Sequence, residues 1–278
     1  VLTTHFDYHS IEGRMTKLDI LGHDDPTIIR MLEDLTGIDA KTIPFDDPKT
    51  LSLFSSTEGI GLTPEQLQGD QVASLAVPEC GTKFVRGMLE DSRPQTFSDL
   101  VRISGFSHGT NVWLDNAQDL IKNGTCKLNE AISTRDDVMN FLIHRGMDRK
   151  HSFFVMENVR KGKGIEKRNK QGQATTEFEA EMRENNIPEW FIESCKKISY
   201  LFPRAHAVAY VMMAFRIAWF KVYHPLAFYA AYFSIRAKAF DLRIMTGDLK
   251  TQLTEFNRIK ALDRAASPKD KDLMSALE

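Results

Sequence analysis

The stretch Arg204–Pro225, RAHAVAYVMMAFRIAWFKVYHP, decides how the rest of the chain is read. It is the most apolar segment and contains no acidic residue. A membrane-spanning helix is one reading, because a span needs roughly 20 apolar residues. Arg216, however, divides the run, and His206 and Lys221 flank it. Pro225 then breaks the helix, and LAFYAAYFSI, Leu226–Ile235, starts a second apolar one. A buried helical hairpin fits this pattern better than a span. Ala205, Ala207, Ala209 and Ala214 would let a neighbouring backbone, or a ligand, approach closely.

Most of the remaining chain also reads as helix, with start and stop signals. Asp25–Pro26 begins a run through Ile28, Ile29, Met31, Leu32 and Leu35 that stops at Gly37. Asp47–Pro48 opens a short helix through Leu51, Leu53 and Phe54, whose LSLF could pass for a docking peptide but fits the core better. Thr63–Pro64–Glu65–Gln66 combines a capping box with an N-terminal proline. Helices are expected over 82–89, 96–103 (closed by Gly105), 134–145, 150–159 and 188–199, with Gly146 and Gly162 as stops. Arg160–Glu177, RKGKGIEKRNKQGQATTE, reads as a basic, glycine-containing loop, and the polar tail after Leu242 as only partly ordered.

One strand stands apart. In KLDILG, Lys17–Gly22, alternation puts Leu18 and Ile20 on one face and Lys17, Asp19 and Leu21 on the other. Asp19 is either an exposed-face residue beside Lys17 or a metal ligand, and spacing alone favours the former. Few other strands are evident, so its sheet is expected in chain outside this piece. A start at Val1 and a stop inside KDLMSALE, which reads as a helix in progress, point the same way. The only domain boundary marked is near Gly22–Asp25.

With 278 residues, 42% of them hydrophobic, the chain can bury a sizeable core as one large domain or two. Its net charge of −2 means that any polyanion site must come from local clustering. Cys80, Cys126 and Cys195 are far apart and lack CxxC or zinc spacing, which suits a reducing compartment. No signal-peptide pattern is found.

Several clusters suit anions. Arg160, Lys161, Lys163, Lys167, Arg168 and Lys170 lie in the basic loop, with Lys161 and Lys163 alternating with Gly162 and Gly164, and are either phosphate contacts or a solvated charge run. Lys83 and Arg86 share a helix face near an N-terminus, behind Gly81. Arg204 and His206 lie at the start of the alanine-rich helix, and Arg135 begins another, followed by two acids that suit its dipole. SGFSHGTNVW, Ser104–Trp113, reads as a tight polar loop. Its Ser107–His108 pair has no G-x-S-x-G elbow and no evident third member, which disfavours a hydrolase. His5 and His9 have zinc-helix spacing but lack the glutamate of H-E-x-x-H, in a segment that reads as extended.

These residues sit in motifs that, taken together and in order, resemble the PolC-type alpha subunit of bacterial DNA polymerase III, a C-family replicative polymerase. The motifs are THFDYHSI, KLDILGHDDPTIIR, IPFDDP, FSSTEGIGLTPEQ, GTKFVRGMLED, ISGFSHGTNVWLDNAQDLI, ISTRDDVMNFL, VRKGKG and the run from IPEWFIESC through HPLAFYAAYF. The resemblance covers about Thr3 to Leu242. It implies a mainly α chain, a helical fingers domain attached to a short β-strand element of the polymerase palm: residues 1–25 the end of the palm, 26–242 the fingers, 243–278 a polar tail.

The resemblance also implies chemistry. The family's palm binds two Mg2+ ions through three carboxylates, of which Asp19 would be one, reversing the reading from spacing. Lys83, Arg86, His108, Arg135, Lys161, Lys163, Arg204 and His206 would contact nucleotide or DNA. The implied partners are primer–template DNA, deoxynucleoside triphosphates, the remainder of the polymerase chain, and a sliding clamp and other replisome proteins, with no membrane. The setting would be the bacterial cytoplasm, at the nucleoid. Asp19 alone cannot assemble a two-ion site, so the piece by itself is expected to be inactive. The sequence departs from the family pattern in a longer loop after Gly164, in Asp115 where glycine is expected, in Cys80 for phenylalanine, and in the tail after Asp248. The rivals are a non-enzymatic helical module that binds nucleic acid or protein, and a metal-dependent phosphoesterase whose only nearby extra ligands would be His23–Asp25.

Overall fold

The structure, a computed structural model, describes residues 5–11, 14–16, 18, 20, 22–165, 167–168, 174–175 and 177–277. Its helices are α1 (Tyr8–Ile11), α2 (Asp25–Thr36), α3 (Pro48–Ser52), α4 (Lys83–Ser92), α5 (Phe97–His108), α6 (Gln118–Lys122), α7 (Arg135–His144), α8 (Arg149–Arg160), α9 (Glu177–Glu184), α10 (Glu189–Lys197), α11 (Arg204–Tyr223), α12 (Pro225–Ala231), α13 (Leu242–Met245), α14 (Leu249–Leu262) and α15 (Pro268–Leu277). Sheet structure is sparse among the described residues: the antiparallel pair β1 (Lys167–Arg168) and β2 (Ala174–Thr175), with isolated bridges such as Thr110–Tyr200 and Thr134–Phe202. The fold is therefore mainly α. Lys17, Asp19 and Leu21 of the expected strand lie outside the described residues, and Leu18 and Ile20 beside them are 78% and 89% exposed.

The apolar segment from Arg204 forms the central helix, α11. α11 is long and apolar enough to cross a membrane by composition, yet it packs on α2, α3, α5 and α12. It buries Ala207, Val211, Ala214, Phe215, Ile217, Ala218 and Phe220. Ala205 and Ala209, expected to allow close approach, are exposed instead. Phe215 meets Phe45, Phe54 and Phe97 at ring distances of 5.7–6.3 Å. Lys221, buried near the end of α11, donates to the carbonyls of Ala73 (2.8 Å) and Leu75 (2.6 Å), and burial pulls its ammonium down to about 8.

Several helix ends form as the sequence implies. Gly37 closes α2 at φ +72°, Asp47 accepts from the Thr50 N–H at 2.8 Å, and Thr134 and Asp137 make a reciprocal box at the start of α7. LSLF is core, with Leu53 and Phe54 essentially inaccessible.

Other expectations change. Asp25 does not cap α2 through its side chain; it is buried and paired with Arg236 at 2.9 Å. Thr63 and Gln66 make both capping-box bonds, but only a turn follows, because Gln68 and Gly69 have positive φ and the Gly69 N–H closes on the Pro64 carbonyl. Gly105 does not end α5. A Cβ there would lie 2.6 Å from the Ser133 carbonyl oxygen, so this glycine lets α5 lie against the segment leading into α7. Ser104–His108, expected as a loop, is the last turn of α5. Tyr8–Ile11 is a helical turn rather than extended chain.

The tail is helical. Asp248 caps α14 by accepting from the Thr251 N–H at 2.8 Å, and Ser267 and Asp270 form a box before α15. Phe256 and Ile259 are buried, and Arg258 reaches Asp270 at 3.0 Å, joining α14 to α15.

Candidate nucleic-acid interface

An extended strap, 199–203, organises the site. The Tyr200 carbonyl accepts from the Thr110 N–H at 3.0 Å, and the Thr110 carbonyl accepts from the Ser199 N–H at 3.0 Å. Further along, the Phe202 carbonyl accepts from the Arg135 N–H at 3.1 Å, and the Leu201 N–H reaches the Arg160 carbonyl at 3.4 Å. Two glycines permit this approach. At Gly162, φ is +67° and a Cβ would sit 2.5 Å from the Ser199 oxygen; at Gly109 one would sit 3.1 Å from the Tyr200 oxygen. The C-terminal ends of α5 and α8 and the N-terminal ends of α7 and α11 thus converge on five residues of chain.

That convergence gathers most of the residues singled out from sequence. His108 ends α5, Arg135 begins α7, Lys161 and Lys163 follow α8, and Arg204 and His206 lie in the first turn of α11. The Phe202 ring lies between two imidazoles, stacked on His108 at 4.8 Å and edge-on to His206 at 5.0 Å. His206 continues to Tyr210 at 4.6 Å, whose hydroxyl contacts His23 Nε2 at 2.5 Å. Arg135 and Lys163 have no ion-pair partner among the described residues. Lys161 leans on Glu157 at 3.1 Å, and Glu157 also takes Arg160 at 2.8 Å, which together hold its carboxyl down at about 2.

Lys83 and Arg86 share a helix but not a role. Lys83 is exposed at the start of α4. Arg86 is buried, 3.1 Å from Asp70 and 2.6 Å from the Gly81 carbonyl, so it pins the preceding turn rather than facing a ligand. The stripe of Val85, Met88 and Leu89 rotates it inward. Gly81 serves close packing, since a Cβ there would lie 3.1 Å from Ala76 N and Val77 O.

Ser107 and His108 gain the third member that spacing did not offer. Ser107 Oγ is 3.0 Å from His108 Nδ1, and His108 Nε2 is 2.9 Å from Glu79. This is not a nucleophilic triad. His108 Nδ1 lies 2.9 Å from the Ser104 carbonyl, and Glu79 first, then this carbonyl, raise the imidazole's proton affinity against the effect of burial. Each ring nitrogen faces an acceptor, the Ser104 carbonyl or the Glu79 carboxylate, and the Ser107 hydroxyl itself donates to the Ser104 carbonyl at 3.0 Å, so its proton is not directed to the imidazole. Glu79 is lowered by its bond to His108, while burial raises Asp25 against the opposing field of Arg236. Among the described residues no group of three or more His, Cys, Asp or Glu could hold a metal ion, so they do not by themselves fit a divalent ion; Asp19 lies outside them.

Residues 25–186, more than half the chain, match the family described as the bacterial DNA polymerase III alpha subunit finger domain. The chain belongs to this family. It is similar to the DNA polymerase III PolC-type of Caldanaerobacter subterraneus subsp. tengcongensis (58% identical over all of this chain and 19% of the relative) and of Bacillus subtilis (55%, over 99% and 18%). The Thermotoga maritima counterpart is 56% identical over 100% of this chain and 20% of its own. The chain thus spans about a fifth of the length of the curated relatives it matches.

Family membership clarifies two departures. Asp115, where glycine is expected, has φ +57°, a left-handed conformation that glycine adopts freely and aspartate tolerates; its carbonyl is held by Lys197 Nζ at 2.7 Å. The tail after Asp248 is not foreign, because the similarity to these relatives extends over it. Sequence reasoning missed Glu79, Tyr210 and Arg236 as parts of the site and offered His23 only as a metal ligand. Their contacts bridge distant segments, and no local periodicity marks them.

Proposed function

We propose that this chain is the fingers region, with the end of the palm, of a replicative DNA-directed DNA polymerase acting in the bacterial cytoplasm at the nucleoid. Residues 1–25 belong to the palm and 26–242 to the fingers. The convergence of four helix ends on the 199–203 strap carries the reading, because it collects cations and N-terminal helix dipoles where a polyphosphate can approach. In the reaction, the primer 3′-hydroxyl attacks the α-phosphorus of a deoxynucleoside triphosphate. A P–O bond forms to the primer and pyrophosphate leaves.

In this reading Arg135, Lys163, Arg204, Lys161 and Lys83 face phosphates of nucleotide or DNA, while His108 and His206 present imidazoles on either side of Phe202. Arg86 supports the α4 end from inside. Asp19 would contribute one carboxylate to a Mg2+ site completed elsewhere in the longer protein. Bound there, divalent ions would supply Lewis-acid chemistry, lowering the pKa of the attacking hydroxyl and stabilising the leaving oxygens. The substrates are primer–template DNA and deoxynucleotides; the partners are the rest of the polymerase chain and, through it, a sliding clamp and other replisome proteins.

The test is D19N in the full-length polymerase. Primer extension is expected to be abolished, with DNA binding nearly unchanged. Extension at the unaltered rate would make Asp19 a structural residue.

A further inference from the structure

The first turn of α11, which carries Arg204 and His206, has no cap of its own, since Pro203 precedes it and offers no side-chain acceptor. The acceptor comes from another helix. Asp136 Oδ2, on α7, accepts from the Arg204 N–H at 2.9 Å, from 68 residues away in sequence. α7 does not need Asp136 for its own capping box, which Thr134 and Asp137 complete. Asp137 is differently engaged. Its Oδ2 accepts from the Ser133 N–H (3.0 Å) and Thr134 N–H (2.8 Å), and its Oδ1 faces Arg102 at 3.6 Å and Arg204 Nη1 at 3.9 Å.

The chain between Phe202 and Arg204 is therefore held at both ends by α7. The Arg135 N–H holds the Phe202 carbonyl, and the Asp136 carboxylate holds the Arg204 N–H. The Arg204 side chain keeps 40% exposure, with only the long 3.9 Å approach of Asp137 to its guanidinium, on a fixed backbone. Close packing at Gly105 fixes the α7 segment against α5, so the anchor is itself anchored.

We infer that Asp136 is a positioning residue: by capping α11 across the helix–helix joint it sets where Arg204 meets its ligand. This rests on the reading of Arg204 as a nucleotide or DNA contact. The competing role, a surface carboxylate complementing the α7 dipole, depends on charge, whereas a cap depends on an acceptor, which asparagine retains.

The experiment compares D136A, D136N, R204A and D136A/R204A in the full-length polymerase. It measures kcat and apparent KM for the deoxynucleotide, Kd for primer–template, and thermal stability. R204A identifies which binding constant Arg204 controls. D136A is expected to weaken that same constant about fivefold, the scale of a lost cap, with kcat little changed. D136N should stay within about twofold of wild type, and the double variant should equal R204A. A D136A enzyme that loses thermal stability but keeps its binding constants while R204A loses them would overturn the inference alone. An R204A enzyme with normal constants would overturn both this and the reading of Arg204. Equal impairment of D136N and D136A, or multiplied defects in the double variant, would also overturn it. If D136A does not fold, D136S, whose shorter hydroxyl retreats from the Arg204 N–H, should show the same weakening, and unchanged binding would overturn the inference.

Discussion

Glu79 Oε2 lies 2.9 Å from His108 Nε2, and this contact joins the turn before α4 to the last residue of α5. Each partner shifts the other: the imidazole is raised above its ordinary 6.5 chiefly by Glu79, and the carboxyl is lowered below its ordinary 4.5 chiefly by His108. The raised histidine contributes stability that is complete below about 6.5 and is lost as pH rises through its folded value. The lowered glutamate contributes stability that is present above about 4.5 and is lost as pH falls through its folded value. Both act fully between these limits. E79Q should therefore destabilise this chain most near pH 5.5–6, by less than about 1 kcal/mol because His108 is over one-third exposed, and should converge on wild type at pH 9. Thermal unfolding at the two pH values checks this; an offset independent of pH would mean the pair acts through packing.

Gly105 and Gly87 both lie inside helices, and sequence does not separate them. At Gly105 a methyl group would overlap the Ser133 carbonyl (2.6 Å) and Thr134 Cγ2 (2.9 Å); at Gly87 nothing lies within 4 Å. Alanine normally stabilises a helix interior by up to about 1 kcal/mol over glycine. G87A is expected to raise the unfolding midpoint for this reason. G105A should lower it, by about 1–3 kcal/mol of overpacking, because the obstacle includes backbone that supports the strap. Equal shifts in both variants would show that α5 and α7 separate at little cost.

The same pair of glycines shows where sequence reading stops. Helix existence was readable wherever a cap and an apolar period agreed, as in α2, α7 and α11. A glycine that ends a helix and one that lets a second helix approach have the same letter, so α5 was cut short at Gly105. The RDD of α7 was read as serving its own dipole, although one of its acids caps α11. The helix read in KDLMSALE is α15, whereas the polar tail hid α14, which buries only Phe256 and Ile259 and so shows little apolar period. The strap explains why His108, Arg135, Lys161, Lys163, Arg204 and His206, which are far apart in sequence, lie together. Arg86 went inward because its position on the helix is fixed by the stripe it interrupts. Glu79 and Tyr210 were unreadable, since their partners lie 29 and 187 residues away.

Lys161 and Lys163 flank Gly162 at the strap and offer the same charge, but their surroundings differ. Lys161 is held 3.1 Å from Glu157, a carboxyl already engaged by Arg160, whereas Lys163 is exposed with no ion-pair partner among the described residues. A cation already neutralised by a protein carboxylate displaces fewer counterions from DNA than a free one. K163A in the full-length polymerase should therefore reduce the slope of log K against log salt for primer–template binding by about one. K161A should reduce it by less, since removing that lysine leaves the lowered Glu157 facing the DNA alone with Arg160. E157Q should strengthen binding at low salt and steepen the slope by returning Lys161 to the phosphates. Binding titrations from low to moderate salt distinguish these variants, and an unchanged slope in both lysine variants would make the basic turn a solvated surface with no place in the interface.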